Sequence, residues 1–195
     1  MTRQLDSTGL KRLHRTWRRH ATGEVGLVLD HVQSPFNVGA ILRTAAAFKV
    51  DHLWLVGDTA SPTNAKTAKT ALGSQRYLDW SWHDTVAEAV AAAREAGYRI
   101  VGVEPTDDAV PLDRVALDGP VALMLGHEDR GLSPAALALC DAVAYIPQLG
   151  RIGSLNVGTA AAIALYEVRR RAWADGPGQD ISGGGGSGRG LPSSG

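Results

Sequence analysis

Glu128, Ser154 and Asn156 are the side chains whose type and setting best suit chemistry in this sequence. Glu128 stands in the run Gly126-His127-Glu128-Asp129-Arg130-Gly131, directly after an apolar stretch that ends at Leu125. Ser154 and Asn156 close a second run that begins at Pro147, after Ile146, and contains Gly150 and Gly153. Glycines let a backbone approach a ligand closely and take positive φ. The carboxylate, hydroxyl and amide then supply polar contacts at the mouth of a pocket. Two further apolar stretches end in the same manner: Asp30 leads into His31-Val32-Gln33-Ser34-Pro35-Phe36-Asn37, and Val103 into Glu104-Pro105-Thr106. Each feature also has a plainer structural reading. Turns use glycine, serine and asparagine for their own sake. Ser154 and Asn156 are preferred N-cap types, and Glu128 reads equally as a solvated turn carboxylate. The histidines are scattered and Cys140 has no partner at ligand spacing, so no metal is implied. The glycines at 183, 185 and 188 match G-x-G-x-x-G, but no strand precedes them and no helix follows, so they are no dinucleotide fingerprint.

The elements that must hold these loops follow from the apolar pattern. Val25–Asp30, His52–Val56, Arg99–Val103, Val121–Leu125 and residues 143–146 are short apolar runs suited to buried strands. Residues 37–48 are alanine-rich and helical, with Asn37 as the expected N-cap. Residues 84–96 form a helix in which Thr85 and Glu88 have capping-box spacing and Gly97 supplies the stop. A short helix at 133–140 opens with Ser133 and Pro134, and residues 156–173 form the longest helix. Its stripe of Val157, Ala160, Ala161, Ala164 and Leu165 is expected to cover the sheet in part and to admit close approach of a second helix. The polar segment 57–79, low in periodicity, reads mostly as loop. Strands alternating with helices define an α/β domain with a mainly parallel sheet. In such sheets ligands bind beyond the carboxyl ends of the strands, where the loops above emerge.

A chain of 195 residues suits one folded domain. A single cysteine excludes an internal disulfide and fits a reducing compartment. No apolar run approaches the ~18 residues of a membrane span, and no signal peptide is read at the N-terminus, so the expected location is the cytoplasm. The formal net charge of zero conceals segregation. Arg3, Lys11, Arg12, Arg15, Arg18 and Arg19 crowd the first twenty residues against Asp6 alone, Arg169, Arg170 and Arg171 form a second cluster, and 104–118 is acidic. Such segregation suggests a surface that faces a polyanion; the plain alternative is a solvated helix face. Residues 1–22 read as a basic, partly helical arm with Leu10, Leu13 and Trp17 on one face. Residues 175–195, rich in glycine and serine, read as a disordered extension.

Three segments carry a resemblance: N-x-G-A-I-x-R-T-A from Asn37 to Ala45, L-G-H-E-D-R-G-L from Leu125 to Leu132, and I-P-Q-L-G-R-I-G-S-L-N-V from Ile146 to Val157. In order and separation they resemble the motifs of the TrmH-like branch of the SPOUT superfamily of RNA 2′-O-ribose methyltransferases. The resemblance spans residues 20–172 and implies a SPOUT domain over 23–174. It implies a mainly parallel sheet with helices on both faces and a C-terminal deep trefoil knot, a rare exception to the unknotted chain. It also implies S-adenosylmethionine as methyl donor, no metal, RNA as partner, and a homodimer whose active sites are completed across the interface.

Residue roles are implied motif by motif. Arg43 matches the family's catalytic arginine and Asn37 an asparagine of the same site. Glu128 matches the motif glutamate, and Gly126 the glycine beside the donor. Ile146 and Leu155 match positions that touch the donor's adenosine, with Val103 a further donor contact. Ser154 and Asn156 match the polar pair near the reacting ribose. His127 invites a role as general base, but the family pattern does not require histidine there. Gly158 replaces a serine with which the family motif often continues.

The reaction so implied is methyl transfer to a ribose 2′-hydroxyl in structured RNA. Arg43 is either the proton acceptor or a bidentate phosphate clamp; an arginine is so firmly protonated that the first role needs a strongly perturbed setting. Arg12, Arg15, Arg18 and Arg19 are expected to grip RNA phosphates. TrmH-like rRNA enzymes commonly carry an RNA-binding domain ahead of the knot, and here about 22 residues precede it. tRNA is therefore favoured over rRNA, because a short basic arm resembles that of the tRNA guanosine 2′-O-methyltransferases. The alternatives are an rRNA enzyme and a non-catalytic RNA-binding protein on the same fold. Against the latter stands the joint presence of Arg43, Glu128, Ser154 and Asn156.

Overall fold

The centre of the sheet is formed by runs that are apolar throughout rather than alternating, because parallel strands are covered on both faces. The computed structural model describes residues 2–19 and 23–173. The expected extension at 175–195 lies outside them, as do residues 20–22 of the arm. Seven strands, β1 (Val25–Asp30), β2 (His52–Val56), β3 (Trp80–His83), β4 (Arg99–Val103), β5 (Val110–Pro111), β6 (Val121–Leu125) and β7 (Ala142–Tyr145), form one sheet of order β3-β2-β1-β6-β4-β7-β5. Every neighbouring pair is parallel. All carboxyl ends therefore point the same way, and the loops after Asp30, Val103, Leu125 and Tyr145 meet at one end of the molecule.

Helices cover both faces. On one face α2 (Pro35–Ala47), α3 (Ala65–Ala71) and α6 (Val157–Trp173) lie over Leu27, Leu29, Leu53, Leu55 and Leu123. On the other, α4 (Val86–Glu95) and α5 (Pro134–Ala138) lie over Val28, Trp54, Ile100 and Met124. The expected capping box on Thr85 and Glu88 is present, and Ser133 caps α5. The strand expected at 143–146 starts one residue earlier.

Three expectations change. The first helix of the domain opens at Pro35, not Asn37, because Ser34 accepts from the Asn37 backbone N–H and Pro35 suits the first turn. That releases the Asn37 side chain from capping. Segment 57–79 is not all loop: it holds α3, capped by Asn64, and a 3-10 turn at Ser74–Tyr77. Only Thr67 and Ala71 of α3 are buried, too few for a visible period. Strand β3, whose sequence is Trp-Ser-Trp-His, is completed by pairing with β2, and two-residue β5 by pairing with β7.

The third change concerns Arg169–Arg171, which do not form a polyanion-facing cluster. Arg169 is 2% exposed and donates to the carbonyls of Phe48 (2.8 Å), Gly23 (2.9 Å) and Lys49. Arg171 donates to the carbonyls of Leu112 and Val115, while Glu167 pairs with both Arg170 and Arg171. Arg169 and Arg171 satisfy carbonyls outside α6 and so clasp it to the domain. The α6 stripe covers the sheet as expected, with Val157, Ala161, Ala164 and Leu165 buried in the core. The outward face of α6 instead carries Thr159, Ile163 and Tyr166.

The arm contains α1 (Ser7–Arg18), capped by Asp6, whose side chain accepts from Gly9 at 2.7 Å. None of its residues is buried. It meets the domain where Trp17 packs on Trp173, with ring centroids 5.3 Å apart. Arg12, Arg15, Arg18 and Arg19 are all exposed.

Candidate active site

The loop after β6 turns back on itself: His127 and Gly131 exchange backbone hydrogen bonds of 3.0 and 2.9 Å. Gly131 takes φ 65°, and a Cβ at Gly126 would collide with the backbone of Gly131 and Leu132. Glycine at 126 is thus demanded by a close chain approach, and no side chain stands between this backbone and the space beside it. That space is a cleft of about 250 Å³ beyond β4, β6 and β7. Val103, Gly126, Ile146 and Leu155, the four positions expected to hold a donor, all line it, together with Glu128 and Ser154. Leu125, Val157 and Ala160 add apolar wall.

At the rim, a chain of hydrogen bonds joins all three sequence motifs. Glu128 accepts from the backbone N–H groups of Ser34 (2.9 Å) and Gln33 (3.3 Å) and from the Asn37 side-chain amide (2.9 Å). The Asn37 oxygen accepts from the Asn156 amide at 2.9 Å. The Asn156 oxygen in turn accepts from the backbones of Gly158 (2.9 Å) and Thr159 (3.3 Å), capping α6. Asn156 therefore serves both as cap and as network member. The bond it makes at position 158 uses a backbone group and needs no serine side chain there. Burial pushes the Glu128 carboxyl up, but the Asn37 amide and the backbone donors outweigh it and hold it below its ordinary 4.5.

Arg43 stands apart. It is exposed on α2, one face with Phe36 seven residues earlier, and it does not line the cleft. Six residues separate it from Asn37, which turns it away from the rim on a helix of 3.6 residues per turn. The structure thus brings Asn37, Glu128, Ser154 and Asn156 together and leaves Arg43, like the arm arginines, elsewhere.

Some groups at this candidate site had no role assigned from the sequence. The two backbone donors at Gln33 and Ser34 are one kind; no side-chain pattern marks them. Glu104 is another. It lines the cleft, its carboxylate fills the space beside Gly131, and it accepts from the Leu132 N–H at 3.2 Å, while burial raises its pKa. Its place directly after a buried strand was the available signal. Behind the loop, Ser133 reaches Asp30 at 3.4 Å, tying the end of β1 to the start of α5.

A parallel sheet that opens at its carboxyl ends on a half-apolar, glycine-walled cleft defines an α/β protein built to hold a small ligand. The chain belongs to the SpoU rRNA Methylase family, which it matches over residues 24–166. It is 34% identical over 146 residues to the 23S rRNA (guanosine-2′-O-)-methyltransferase RlmB of Acinetobacter baylyi, covering 74% of this chain and 59% of that protein. It is 33% identical over 162 residues to the tRNA (guanosine(18)-2′-O)-methyltransferase of Thermus thermophilus, covering 83% of this chain and 81% of that one. Among solved structures, the AdoMet-bound rRNA methyltransferase of Sinorhizobium meliloti superposes with a TM-score of 0.72 at 29% identity, over 85% of this chain and 70% of that one. The chain thus spans less than two thirds of the Acinetobacter relative's length.

Proposed function

We propose that this protein transfers a methyl group from S-adenosylmethionine to the 2′-hydroxyl of a ribose in structured RNA, with tRNA ahead of rRNA. The observation that carries this reading is the chain from Glu128 through Asn37 to Asn156, set on the rim of the strand-end cleft. The cleft suits the donor: Leu125, Ile146, Leu155 and Val157 offer apolar contact to an adenine, and Gly126 leaves backbone groups exposed to it. Val103 and Glu104 close the opposite wall. When bound, S-adenosylmethionine supplies an electrophilic methyl on a positively charged sulfur.

The chain's own residues then align the hydroxyl and exclude water, which is where most of the acceleration of such a transfer arises. Ser154 and the Asn37–Asn156 pair present a hydroxyl and amides beside the cleft for the incoming ribose. Glu128 braces them. A carboxylate held below its ordinary pKa is a weak base, so its part is to fix Asn37 rather than to take the ribose proton. Arg43, exposed on α2 and turned away from its own chain's cleft, acts as a clamp on the phosphate next to the target ribose at a second copy's site. The arginines of α1 extend the grip on the RNA backbone.

The protein works as a homodimer in this reading. Ile163 and Tyr166 on α6 and Phe36 on α2 leave apolar side chains open to solvent on helices that pack together. A second copy docked there would also bring Arg43 to an interface. For tRNA over rRNA, the support is the Thermus relative, matched over four fifths of its own length.

The test is transfer of tritiated methyl from S-adenosylmethionine to an unmodified tRNA transcript and to a 23S rRNA fragment. Alkaline digestion follows, since a 2′-O-methyl group protects the adjoining phosphodiester. Label in alkali-resistant dinucleotides from tRNA is expected. Label from the rRNA alone would reverse the substrate order, and label in neither would remove the reading.

A further inference from the structure

We propose that α3, the 3-10 turn at Ser74–Tyr77 and strand β3 form a second RNA-contact surface, one that stacks unpaired bases beside the helix that carries Arg43. The proposal rests on the RNA-modifying reading above. From Thr59 to Leu78 the chain has Lys66, Lys69 and Arg76 and no acidic residue, with Asp58 and Asp79 at its borders. Lys66 and Lys69 are exposed on α3, whose Thr67 and Ala71 face inward. Tyr77 is 75% exposed and Leu72 68%. The Arg76 guanidinium lies 5.8 Å from the centre of the Tyr77 ring, and its Nε donates to the Gly73 carbonyl at 2.8 Å, which holds the pair in place.

The neighbouring edge strand continues this surface. Trp80 and Trp82 are both exposed. They pair in register with Leu53 and Leu55, which belong to the core under α2 and α3, so both rings lie on that side of the sheet. Strand β3 has β2 as its one neighbour in the sheet. Tyr77, Trp80 and Trp82 thus lie within six residues of chain, and all three leave ring surface open to solvent.

RNA is the occupant that fits. Sequence-readable RNA is recognised through unstacked bases laid on aromatic or guanidinium planes, with cations nearby for the phosphates. A second copy of this chain fits less well, because a two-fold contact would set Lys66, Lys69 and Arg76 against themselves, with Asp79 the one carboxylate between the 3-10 turn and β3. The surface is also continuous with the site. α3 packs on α2 at Gly39, where an added Cβ would collide with Thr67 and Thr70. Gly39 is two residues from Asn37 and one helical turn from Arg43. An RNA loop stacked on this edge would run along α2 toward the cleft.

Fluorescence anisotropy of the full chain tests this, with a labelled unmodified tRNA transcript and a labelled short oligouridylate as probes. Tyr77→Ala is expected to weaken both by about 10-fold, the scale of one lost base stack. The slope of affinity against salt should stay unchanged, and Tyr77→Phe should bind like the unaltered protein. A Lys66→Ala/Lys69→Ala variant should instead flatten that slope by about 1.4, near 0.7 per phosphate contact on a single strand. Unchanged binding by Tyr77→Ala overturns the proposal. So does a sedimentation shift in Tyr77→Ala, which would assign the surface to a second copy. Absence of S-adenosylmethionine binding by the unaltered protein would remove the methyl-transfer reading and leave this result standing.

Discussion

The side-chain amide of Asn156 donates to the side-chain oxygen of Asn37 at 2.9 Å, across 119 residues of sequence. Asn37 is thereby held at both ends, since its own amide donates to Glu128. Networks of this kind fix orientation more than pairwise bonds do. Asn37→Ala removes the middle link and leaves Glu128 with its two backbone donors. The single-turnover rate of methyl transfer is expected to fall by about 10²-fold, the scale for losing a positioned polar group. Donor affinity, measured by calorimetry, should change by no more than about threefold because Asn37 is not among the cleft-lining residues. A matching loss of donor binding would place Asn37 in the donor site instead.

Arg43→Ala is expected to keep the fold and the donor site. Alanine is at least as good a helix former as arginine, and the side chain is exposed. Single-turnover rates with saturating RNA and donor isolate the chemical step, and they should fall by on the order of 10²-fold or more. Arg43→Lys retains charge without the bidentate fork. Substantial rescue by lysine would favour a simple charge effect over a shaped clamp, and near-normal turnover by Arg43→Ala would end the assignment.

Removal of residues 1–20 takes away the six basic residues of the arm and the Trp17–Trp173 contact. RNA affinity should drop and its salt dependence should flatten, because fewer counterions are released. Affinity for S-adenosylmethionine should hold within about twofold, as none of the described arm residues borders the cleft. Loss of donor binding after the deletion would make the arm a structural part of the domain.

Glu167 gives a pH signature. Its hydrogen bonds with Arg170 and Arg171 hold its carboxyl at about 2, against an ordinary 4.5. A carboxyl depressed on folding adds stability in full above 4.5, and that contribution is lost as pH falls from 4.5 toward 2. Glu167→Gln should therefore lower the melting temperature at neutral pH, by roughly 2–4 °C for a domain of this size. The gap between variant and unaltered protein should close as the pH is brought below 4.5 toward 2. A gap that stays constant across that range would show that Arg171 is held by the Leu112 and Val115 carbonyls alone.

Much of this molecule was determined by its sequence. Strands β1, β2, β4 and β6 are apolar runs with polar residues only at their ends (Asp30, His52, Arg99), so their bounds could be read directly, since burial on both faces favours apolar side chains between them. Local chemistry sets Thr85 with Glu88 and Ser133 with Pro134 at helix starts. Of the cleft positions, Gly126, Ile146 and Leu155 lie in the motifs that carry the family resemblance, and Val103 is a further position that the resemblance implied. Tertiary structure decided the rest. Strand β3 exists through its pairing with β2, and α3 through its packing on α2, so neither has a strong period of its own. Arg169 looks like a surface cation in sequence and becomes buried because the Phe48, Lys49 and Gly23 carbonyls converge on it. Arg43 and Asn37 belong to one motif, yet the turn of the helix separates the first from the rim and delivers the second to Glu128. A linear pattern records which side chains are present; which of them face each other depends on helix phase and on contacts between segments far apart in the chain.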